Sequence, residues 1–310
     1  MVRFLLKRLL GSVLVLMLTS FLTFELIYLA PGDPATVILM QRLGRLPNPE
    51  EVARIEAEYG LDRSPLRQYV NWTSQAIRGN FGYSMRSSRP VVQELRTRLS
   101  PTLLLAGATT LFTLLIGVPI GFLAAIRENS VWDHLTRSFA LLGVSIPDFW
   151  LAFLLILVFS IGLRWLPTHG LDGAKSLILP VISLGVANAA RLSRLTRSYL
   201  LEVKFQDYIR TARAKGLQEW QIWWRHALPN IMIPLLTLTV NQFSEIAAGS
   251  VVIETLFALP GIGQFYVVSV RYNDIPVIQA TVLLISTTFI LMNLLTDIAY
   301  VLLDPRIRLE

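Results

Sequence analysis

The amino-acid sequence predicts an all-α integral membrane protein with six membrane-spanning helices. The 310 residues are 53% hydrophobic and only 16% charged, with a mean hydropathy of +0.54, whereas soluble domains carry about 25% charged residues. Six mostly apolar stretches are candidate spans, since a span requires roughly 20 such residues, and the fourth of them is short. Basic residues, which give a net charge of +7, cluster between these stretches, as they do at the cytoplasmic ends of membrane helices. Cysteine is absent from the sequence, which excludes disulfides and thiolate chemistry.

The six predicted spans are residues 9–30, 103–126, 139–163, 177–191, 231–253 and 275–303. The first follows the basic stretch MVRFLLKRLL and is longer than the roughly 7–15 apolar residues of a signal peptide. It is therefore predicted to be a retained anchor helix rather than a cleaved signal. The fourth is the shortest, and it is followed by Arg191, Arg194 and Arg197, whose long side chains can reach the lipid headgroups.

The distribution of Lys and Arg predicts that both termini lie in the cytoplasm. Three basic residues, Arg3, Lys7 and Arg8, precede the first span, and eight Lys and Arg residues lie between 191 and 228. The positive-inside rule assigns both segments to the cytoplasm. Six crossings then bring the C-terminal tail DPRIRLE to the same side.

This topology divides the chain into three parts. They are an anchor helix (1–30), an extracytoplasmic loop (31–101) and a core of five spans (102–310) with a cytoplasmic loop at about 200–229. In the extracytoplasmic loop, PNPEEVARIEAEYGLD predicts a surface helix that starts after Pro49, because acidic residues fill its first turn.

Four acidic residues, Glu25, Asp148, Glu245 and Asp297, lie within the predicted spans. Ionisable groups there are costly and are candidates for function. Glu25 and Asp297 lie near span ends, where an interfacial or structural role is expected. Asp148 follows Pro147, so it either satisfies backbone groups that a proline kink frees or lines a transport path.

Glu245 is the main candidate for a translocation path. It lies about 21 Å into the fifth span, at 1.5 Å per residue, with Asn241 and Gln242 about one turn away. The alternative is a close-packing face in EIAAGS with Glu245 buried in a hydrogen bond. In the second span, Gly117 and Gly121 form a GxxxG pattern that is typical of helix packing.

The stretch YIRTARAKGLQEWQIWWRHALPN, residues 208–230, is a compact charged and aromatic segment between apolar spans. Apolar residues recur in it at helical spacing in two sets, Phe205, Tyr208, Ile209 and Ala212, then Trp220, Trp223, Trp224 and Ala227. Gly216 lies between the sets, where a glycine readily closes a helix. The sequence thus predicts two short amphipathic helices under the membrane, serving either as an interfacial loop or as a docking surface for a cytoplasmic partner.

This segment resembles the EAA motif in permease subunits of ABC importers, which reads Glu-Ala-Ala, three residues, Gly, nine residues and Ile-x-Leu-Pro. The matching positions are Ala212, Gly216, Leu228 and Pro229. The departing positions are Arg210, Thr211 and His226. RTARAKGL followed by RHALPN is similar to the form in the peptide and nickel branch. FLLKRLL, LAPGDPA, GVSIPDFWLAFLL, ETLFALPGIGQF and LLDPRIR resemble the same branch along nearly the whole chain.

The resemblance implies the type I importer permease fold in a bacterial inner membrane. It further implies a second, homologous permease as a heterodimeric partner, two cytoplasmic ATPases and an extracytoplasmic binding protein, with no nucleic acid involved. ATP and Mg²⁺ would bind the partner ATPases, and no cofactor is expected on this chain. No GxxxxGK[ST] phosphate loop occurs in the sequence. The residues that the resemblance assigns to ATPase coupling are Arg210, Thr211, Ala212, Arg213, Ala214, Lys215, Gly216, Leu217, Leu228 and Pro229.

Two other classes of function fit the sequence less well. An intramembrane enzyme would need a nucleophile paired with a histidine or an acid at matched depth, but His134, His169 and His226 fall in loops between the predicted spans. A secondary transporter or channel would work without ATP, and paired charges or inverted repeats would favour it. The substrate stays open among dipeptides, oligopeptides, glutathione and nickel or metal–chelator complexes, and the compact first loop favours the dipeptide, glutathione and nickel members.

Overall fold

The computed structural model describes residues 2–28, 33–171 and 173–303, and these residues are predominantly helical. The helices of the described residues are α1 (Val2–Tyr28), α2 (Pro34–Leu43), α3 (Pro49–Tyr59), α4 (Pro65–Ala76), α5 (Val91–Ile126), α6 (Val131–Ser145), α7 (Asp148–Leu155), α8 (Lys175–Lys204), α9 (Asp207–Ala214), α10 (Glu219–Ile222), α11 (Leu228–Ala247), α12 (Val251–Leu256), α13 (Ile262–Arg271) and α14 (Ile275–Leu303). Two π-helical turns, Ile156–Gly162 and Trp223–Ala227, continue α7 and α10. The all-α prediction is confirmed for this part of the chain, and the tail DPRIRLE lies outside the described residues.

Three helices within the described residues are long and apolar enough to cross a membrane. They are α5, α8 and the 275–300 part of α14. The pair α6 and α7 passes the same test jointly, although its two halves meet at an angle of 97°. The apolar part of α1 within the described side chains, Leu10–Leu26, is shorter.

The predicted third and fourth spans differ from the observed helices. The third is not one helix with a kink, because α6 ends at Ser145 and α7 begins at Asp148 after a sharp bend. Pro147 and the extended residue Ile146 before it explain the break, since proline disfavours helical geometry in its predecessor. The helix that contains the fourth span is longer than the apolar stretch, because α8 runs without interruption through all three arginines that follow it.

The predicted fifth span, 231–253, is wrong at both ends. The helix α11 starts earlier, at Leu228, and it ends at Ala247. Gly249 then adopts a φ of +111° before α12 begins. A Cβ atom at Gly249 would lie 2.7 Å from the Cα atom of Gly263, so the chain needs glycine there for both its backbone angle and its space.

The core of the molecule is the contact between α5 and α8. A Cβ atom at Gly117 would lie 2.9 Å from the carbonyl oxygen of Ala189, and one at Gly121 would lie 2.3 Å from that of Ser193. The predicted GxxxG packing face is therefore confirmed. The two glycines let the helix backbones approach closely, as small residues do between membrane helices.

The segment between α1 and α5, which the sequence predicts to be extracytoplasmic, folds against the start of α14. Its helix α3 starts at Pro49 as predicted, with Asn48 and Glu51 forming a reciprocal capping box. Two further helices, α2 and α4, are not predicted by the sequence analysis. Asp274, which is 2% exposed, accepts a hydrogen bond from the Met85 amide at 3.0 Å and another from the Ser84 hydroxyl. This carboxylate fastens the segment to the core.

The anchor helix α1 packs against α14 through an ion pair. The Arg8 guanidinium lies 3.1 Å from the Asp297 carboxylate, which is only 9% exposed. Asp297 therefore has a structural role in joining these two helices, one of the two roles expected for it. Glu25 is half-buried on α1.

Candidate functional site

The segment between α8 and α11 forms the predicted helix–glycine–helix unit. The first helix is α9, and Gly216 follows it with a φ of +77°. The Gly216 amide donates to the Arg213 carbonyl at 2.9 Å, and the Leu217 amide donates to the Ala212 carbonyl at 3.3 Å. These bonds satisfy carbonyls at the end of α9 and turn the chain toward α10.

An ion pair crosses this turn. The Arg213 guanidinium donates from Nε to Glu219 at 2.7 Å and from Nη2 at 3.3 Å. The hydrogen bond from Arg213 lowers the pKa of the Glu219 carboxyl below its usual value. Both side chains are substantially exposed, so the pair fixes the angle between the helices more than it adds stability.

The inner face of the segment is buried against the core. Its members are Ile209, Ala212, Ile222, Trp223 and Ala227. They pack with Ala125, Leu192, Leu200, Ile231 and Leu235 in one hydrophobic cluster. The segment is therefore packed against the ends of α5 and α8 and the start of α11.

The predicted apolar faces are only partly buried, which corrects the sequence prediction. Four aromatic members stay exposed, namely Phe205 (64%), Tyr208 (40%), Trp220 (57%) and Trp224 (56%). The helical spacing could not distinguish these residues from the buried ones, because both sets lie within the same broad apolar stripe. We call these four residues the exposed aromatic face.

The residues that match the motif lie mainly on the outside. Those exposed are Arg210, Thr211, Arg213, Ala214, Lys215, Gly216, Leu217 and Pro229. Ala212 is buried and Leu228 is half-buried. Arg210 and Lys215 thus stand beside the exposed aromatic face, which gives a basic and aromatic surface of the kind that docks on another protein.

The second helix of the segment does not stop before the fifth span, contrary to the prediction. It continues from α10 through the π-helical turn Trp223–Ala227 directly into α11. Pro229 lies in the first turn of α11, where its missing amide proton costs little. The turn directs Trp223 inward and leaves Trp224 exposed, with its ring 5.2 Å from that of Phe122.

Two of the three predicted path residues lie together. Glu245 and Asn241 line a cavity of about 170 Å³ with Asn188 and Arg191 of α8. Glu245 is exposed to this space, and within the described part of the chain it forms no ion pair or hydrogen bond. The neighbouring Gln242 is the buried one, and its amide donates to the Thr113 hydroxyl at 2.9 Å. The alternative of a buried, hydrogen-bonded Glu245 is not observed in this chain.

The third predicted path residue lies elsewhere. Asp148 is half-buried in the first turn of α7 and accepts a hydrogen bond from the Phe149 amide at 3.0 Å. It does not line the cavity of Glu245. This geometry is that of a carboxylate at a helix start, where the helix dipole stabilises negative charge.

Sequence reasoning missed two polar side chains of this cavity and one buried carboxylate outside it. It assigned Arg191 to the lipid headgroups, and it did not consider Asn188. Their spacing of three residues, which places both on one side of α8, was the available signal.

Glu254, 1% exposed, accepts hydrogen bonds from the Thr102 hydroxyl at 2.8 Å and the Gln264 amide at 2.9 Å. It therefore ties α12 and α13 to α5.

Among the described residues, no three His, Asp or Glu side chains form a group that could hold a metal ion. Two of the histidines are not in loops as expected. His134 lies in α6 and His226 lies in the π-helical turn before α11.

Comparison with known proteins gives consistent relationships over the whole length. Residues 117–309 match the family described as "Binding-protein-dependent transport system inner membrane component", and residues 1–106 match its N-terminal counterpart. The glutathione transport system permease protein GsiC of Escherichia coli K12 is 41% identical over 308 residues, covering 99% of both chains. The GsiC protein of Shigella flexneri serotype 5b is 40% identical over the same share.

The fold is similar to that of solved transporter structures. A structure of the MetNI methionine ABC transporter in an inward-facing conformation superposes with a TM-score of 0.55 at 21% identity, covering 68% of this chain and 96% of that chain. A second crystal form gives a TM-score of 0.54 at 19% identity, with coverage of 68% and 97%.

Proposed function

Because the chain belongs to the family of binding-protein-dependent transport system inner membrane components, we propose a mechanism for it as a permease subunit of an ABC importer. In such importers the permease is a multi-pass protein of the bacterial inner membrane, and separate subunits hydrolyse ATP. The function is transport rather than catalysis. The ATP-independent transporter and the intramembrane enzyme are both disfavoured by this membership.

The unit α9–Gly216–α10 docks on a cytoplasmic ATPase, and we call it the docking unit. The observation that supports this role is its two-sided construction. One side is buried on α5 and α8, while the other presents Arg210, Lys215 and exposed aromatic rings. An interfacial tether would not need an ion pair and a glycine cap to fix the angle between its helices. Closure of the ATPases would move this unit as a rigid body.

The cavity of Glu245, Asn241, Asn188 and Arg191 is part of the translocation path. It lies between α8 and α11, and its lining has one carboxylate, one guanidinium and three amides, the third being that of Gln242. Such a group can bind both the ammonium and the carboxylate of a small peptide. An unpaired carboxylate within a membrane helix also favours a functional role over a structural one.

Six spans with both termini in the cytoplasm form the proposed topology. The spans are α1, α5, the bent pair α6 and α7, α8, α11 and α14. The eight basic residues between 191 and 228 support a cytoplasmic docking unit. A tag at Glu310 should resist an impermeant labelling reagent in intact cells, and labelling would contradict this topology.

The partners of this subunit are a second, homologous permease, two ATPases and an extracytoplasmic binding protein. We expect a heterodimer of permeases, with this chain supplying one half of the path. We also expect this chain to bind no nucleotide of its own. Measurable ATP turnover by the purified chain, free of contaminating ATPase, would count against this assignment.

The substrate class is small peptides, including glutathione. The support is the 41% identity to glutathione permeases over almost the entire chain. The test is uptake of labelled glutathione and of a dipeptide by cells that lack their own systems and express the complete transporter. Uptake of either, abolished by an ATPase-dead partner, supports the proposal. Transport of nickel complexes but of neither peptide would overturn the substrate class.

A further inference from the structure

A second cavity, of about 500 Å³, opens between α6 and α8 and has no role in the mechanism above. Its lining residues are Thr136, Arg137, Ala140, Leu141, Arg194 and Arg197. Three of these six carry a guanidinium group, and two are apolar. The cavity is separate from that of Glu245, with which it shares no lining residue.

Two of the three arginines are held in place by a single buried carboxylate. Asp133, which is 0% exposed, accepts hydrogen bonds from Arg197 at 2.6 and 2.9 Å and from Arg137 at 2.7 and 3.3 Å. Each of these guanidinium groups donates two N–H bonds to Asp133 and retains further donors. The carboxylate therefore orders the arginines while it neutralises only one of them.

The third arginine leaves the cavity with an excess of positive charge. Within the described residues, Arg194 forms no ion pair or hydrogen bond, and its side chain is exposed. Three guanidinium groups against one carboxylate give a net charge of +2. Glu128 on the adjoining loop does not remove this excess, because its carboxylate pairs with Lys204 at 2.8 Å.

The helix α6, which forms one wall of this charged cavity, also carries exposed apolar side chains. Leu141 on its rim is 70% exposed, and Leu135 and Trp132 on the same helix are each 56% exposed. Exposed apolar residues on a membrane helix contact acyl chains, and tryptophan favours the headgroup level. A soluble anion would neutralise the arginines but leave Leu141 uncovered.

We propose that this cavity binds the phosphate of an anionic phospholipid, with Arg194 as its principal free donor and an acyl chain along α6. Basic pockets between membrane helices on the cytoplasmic side are suited to such headgroups. The bound lipid would join α6 to α8 at the level of Asp133. Arg194 is about 15 Å along α8 from Lys204, at 1.5 Å per residue, so the site lies near the docking unit without touching it.

The test measures lipid binding by the assembled transporter in phosphatidylcholine nanodiscs with increasing phosphatidylglycerol, read by native mass spectrometry. The variant is Arg194→Gln, which removes one charge from an exposed side chain. The matched control is Arg127→Gln, since Arg127 is also exposed, lies at the end of α5 and is outside the cavity. We expect about fivefold weaker retention of phosphatidylglycerol in the first variant, the usual effect of one basic residue near an anionic surface, and no change in the control.

Titration of the unaltered transporter with phosphatidylglycerol is a second test, which does not depend on a variant. Phosphatidylglycerol should bind, and inorganic phosphate or glycerol phosphate at the same concentration should not displace it. Displacement by inorganic phosphate would identify a soluble-anion site and overturn the proposal. Equal losses in both variants would indicate non-specific charge, and unchanged binding in Arg194→Gln would exclude this cavity.

Discussion

The most direct test of the docking unit is to replace Gly216 with residues that differ in how well they tolerate a positive φ. A Cβ atom at Gly216 meets no heavy atom within 4 Å, so a side chain there causes no collision. The cost comes from the backbone alone, because the φ of +77° is in the left-handed region. That cost is about 1–2 kcal/mol for an ordinary L-residue. It is higher for a β-branched residue and lower for asparagine.

The expected order of the losses in uptake follows from this backbone cost. Gly216→Asn should be mildest, Gly216→Ala intermediate and Gly216→Val most severe, since valine favours extended geometry most strongly. A turn that relaxes to negative φ would change the direction of α10 and break the Arg213–Glu219 ion pair. Uptake should therefore fall far more than about 1–2 kcal/mol of local strain would suggest, because an ATPase that docks on this unit must accept α9 and α10 at one angle.

A matched glycine separates coupling from folding. Gly44 closes α2 with a φ of +67°, and a Cβ atom there would likewise meet no heavy atom within 4 Å. Gly44→Val therefore imposes the same kind of strain in the segment between α1 and α5, away from the docking unit. The measurements are the amount of chain in the membrane, co-purification of the ATPases and ATP-driven uptake in the same cells. Normal uptake with Gly216→Val, or equal loss with Gly44→Val, would refute the reasoning.

Three further variants probe other parts of the molecule. Glu245→Gln should reduce uptake while assembly and basal ATPase activity stay near normal, and loss of assembly would favour a packing role instead. Gly121→Ala should destabilise the chain by about 1–3 kcal/mol through overpacking, whereas Gly107→Ala in the same helix, with nothing within 4 Å, should be neutral or stabilising in a thermal-melt assay. Glu219→Gln should weaken ATPase attachment by no more than about 1 kcal/mol. Because the pKa of Glu219 is lowered by Arg213, the pair's contribution is present above the ordinary glutamate pKa. It is lost as pH falls through the lowered value, which co-purification across an acidic pH series would detect.

The sequence predicted the features that depend on local chemistry. Gly216 as a helix end, Pro49 as a helix start and the Gly117–Gly121 packing face all follow from backbone preferences or side-chain size, and each is observed. Such signals are contained within a few residues. They do not require knowledge of which elements meet in space.

The features that the sequence did not predict depend on long-range packing. Helical periodicity grouped Phe205 with Ile209, but only Ile209 meets α5 and α8. The 97° bend at Pro147 was not predicted, because hydropathy alone does not report the direction of a helix and both α6 and α7 pack against α8. Arg8 and Asp297 are 289 residues apart in the chain, so their ion pair could not be inferred from either neighbourhood.

The unbroken helix from α10 through α11 is a mechanical connection between the docking unit and the cavity of Glu245. From Glu219 to Glu245 the chain is helical throughout, a distance of about 39 Å at 1.5 Å per residue. A flexible loop before α11 would dissipate a displacement of the docking unit, whereas a continuous helix carries it to the cavity of Glu245. The π-helical turn and the interior residue Pro234 are irregular points on this helix, and π-helical turns are common at functional sites. Trp223 of the π-helical turn is buried in the cluster with residues of α5 and α8, so a displacement of the docking unit would act on these two helices as well as on α11.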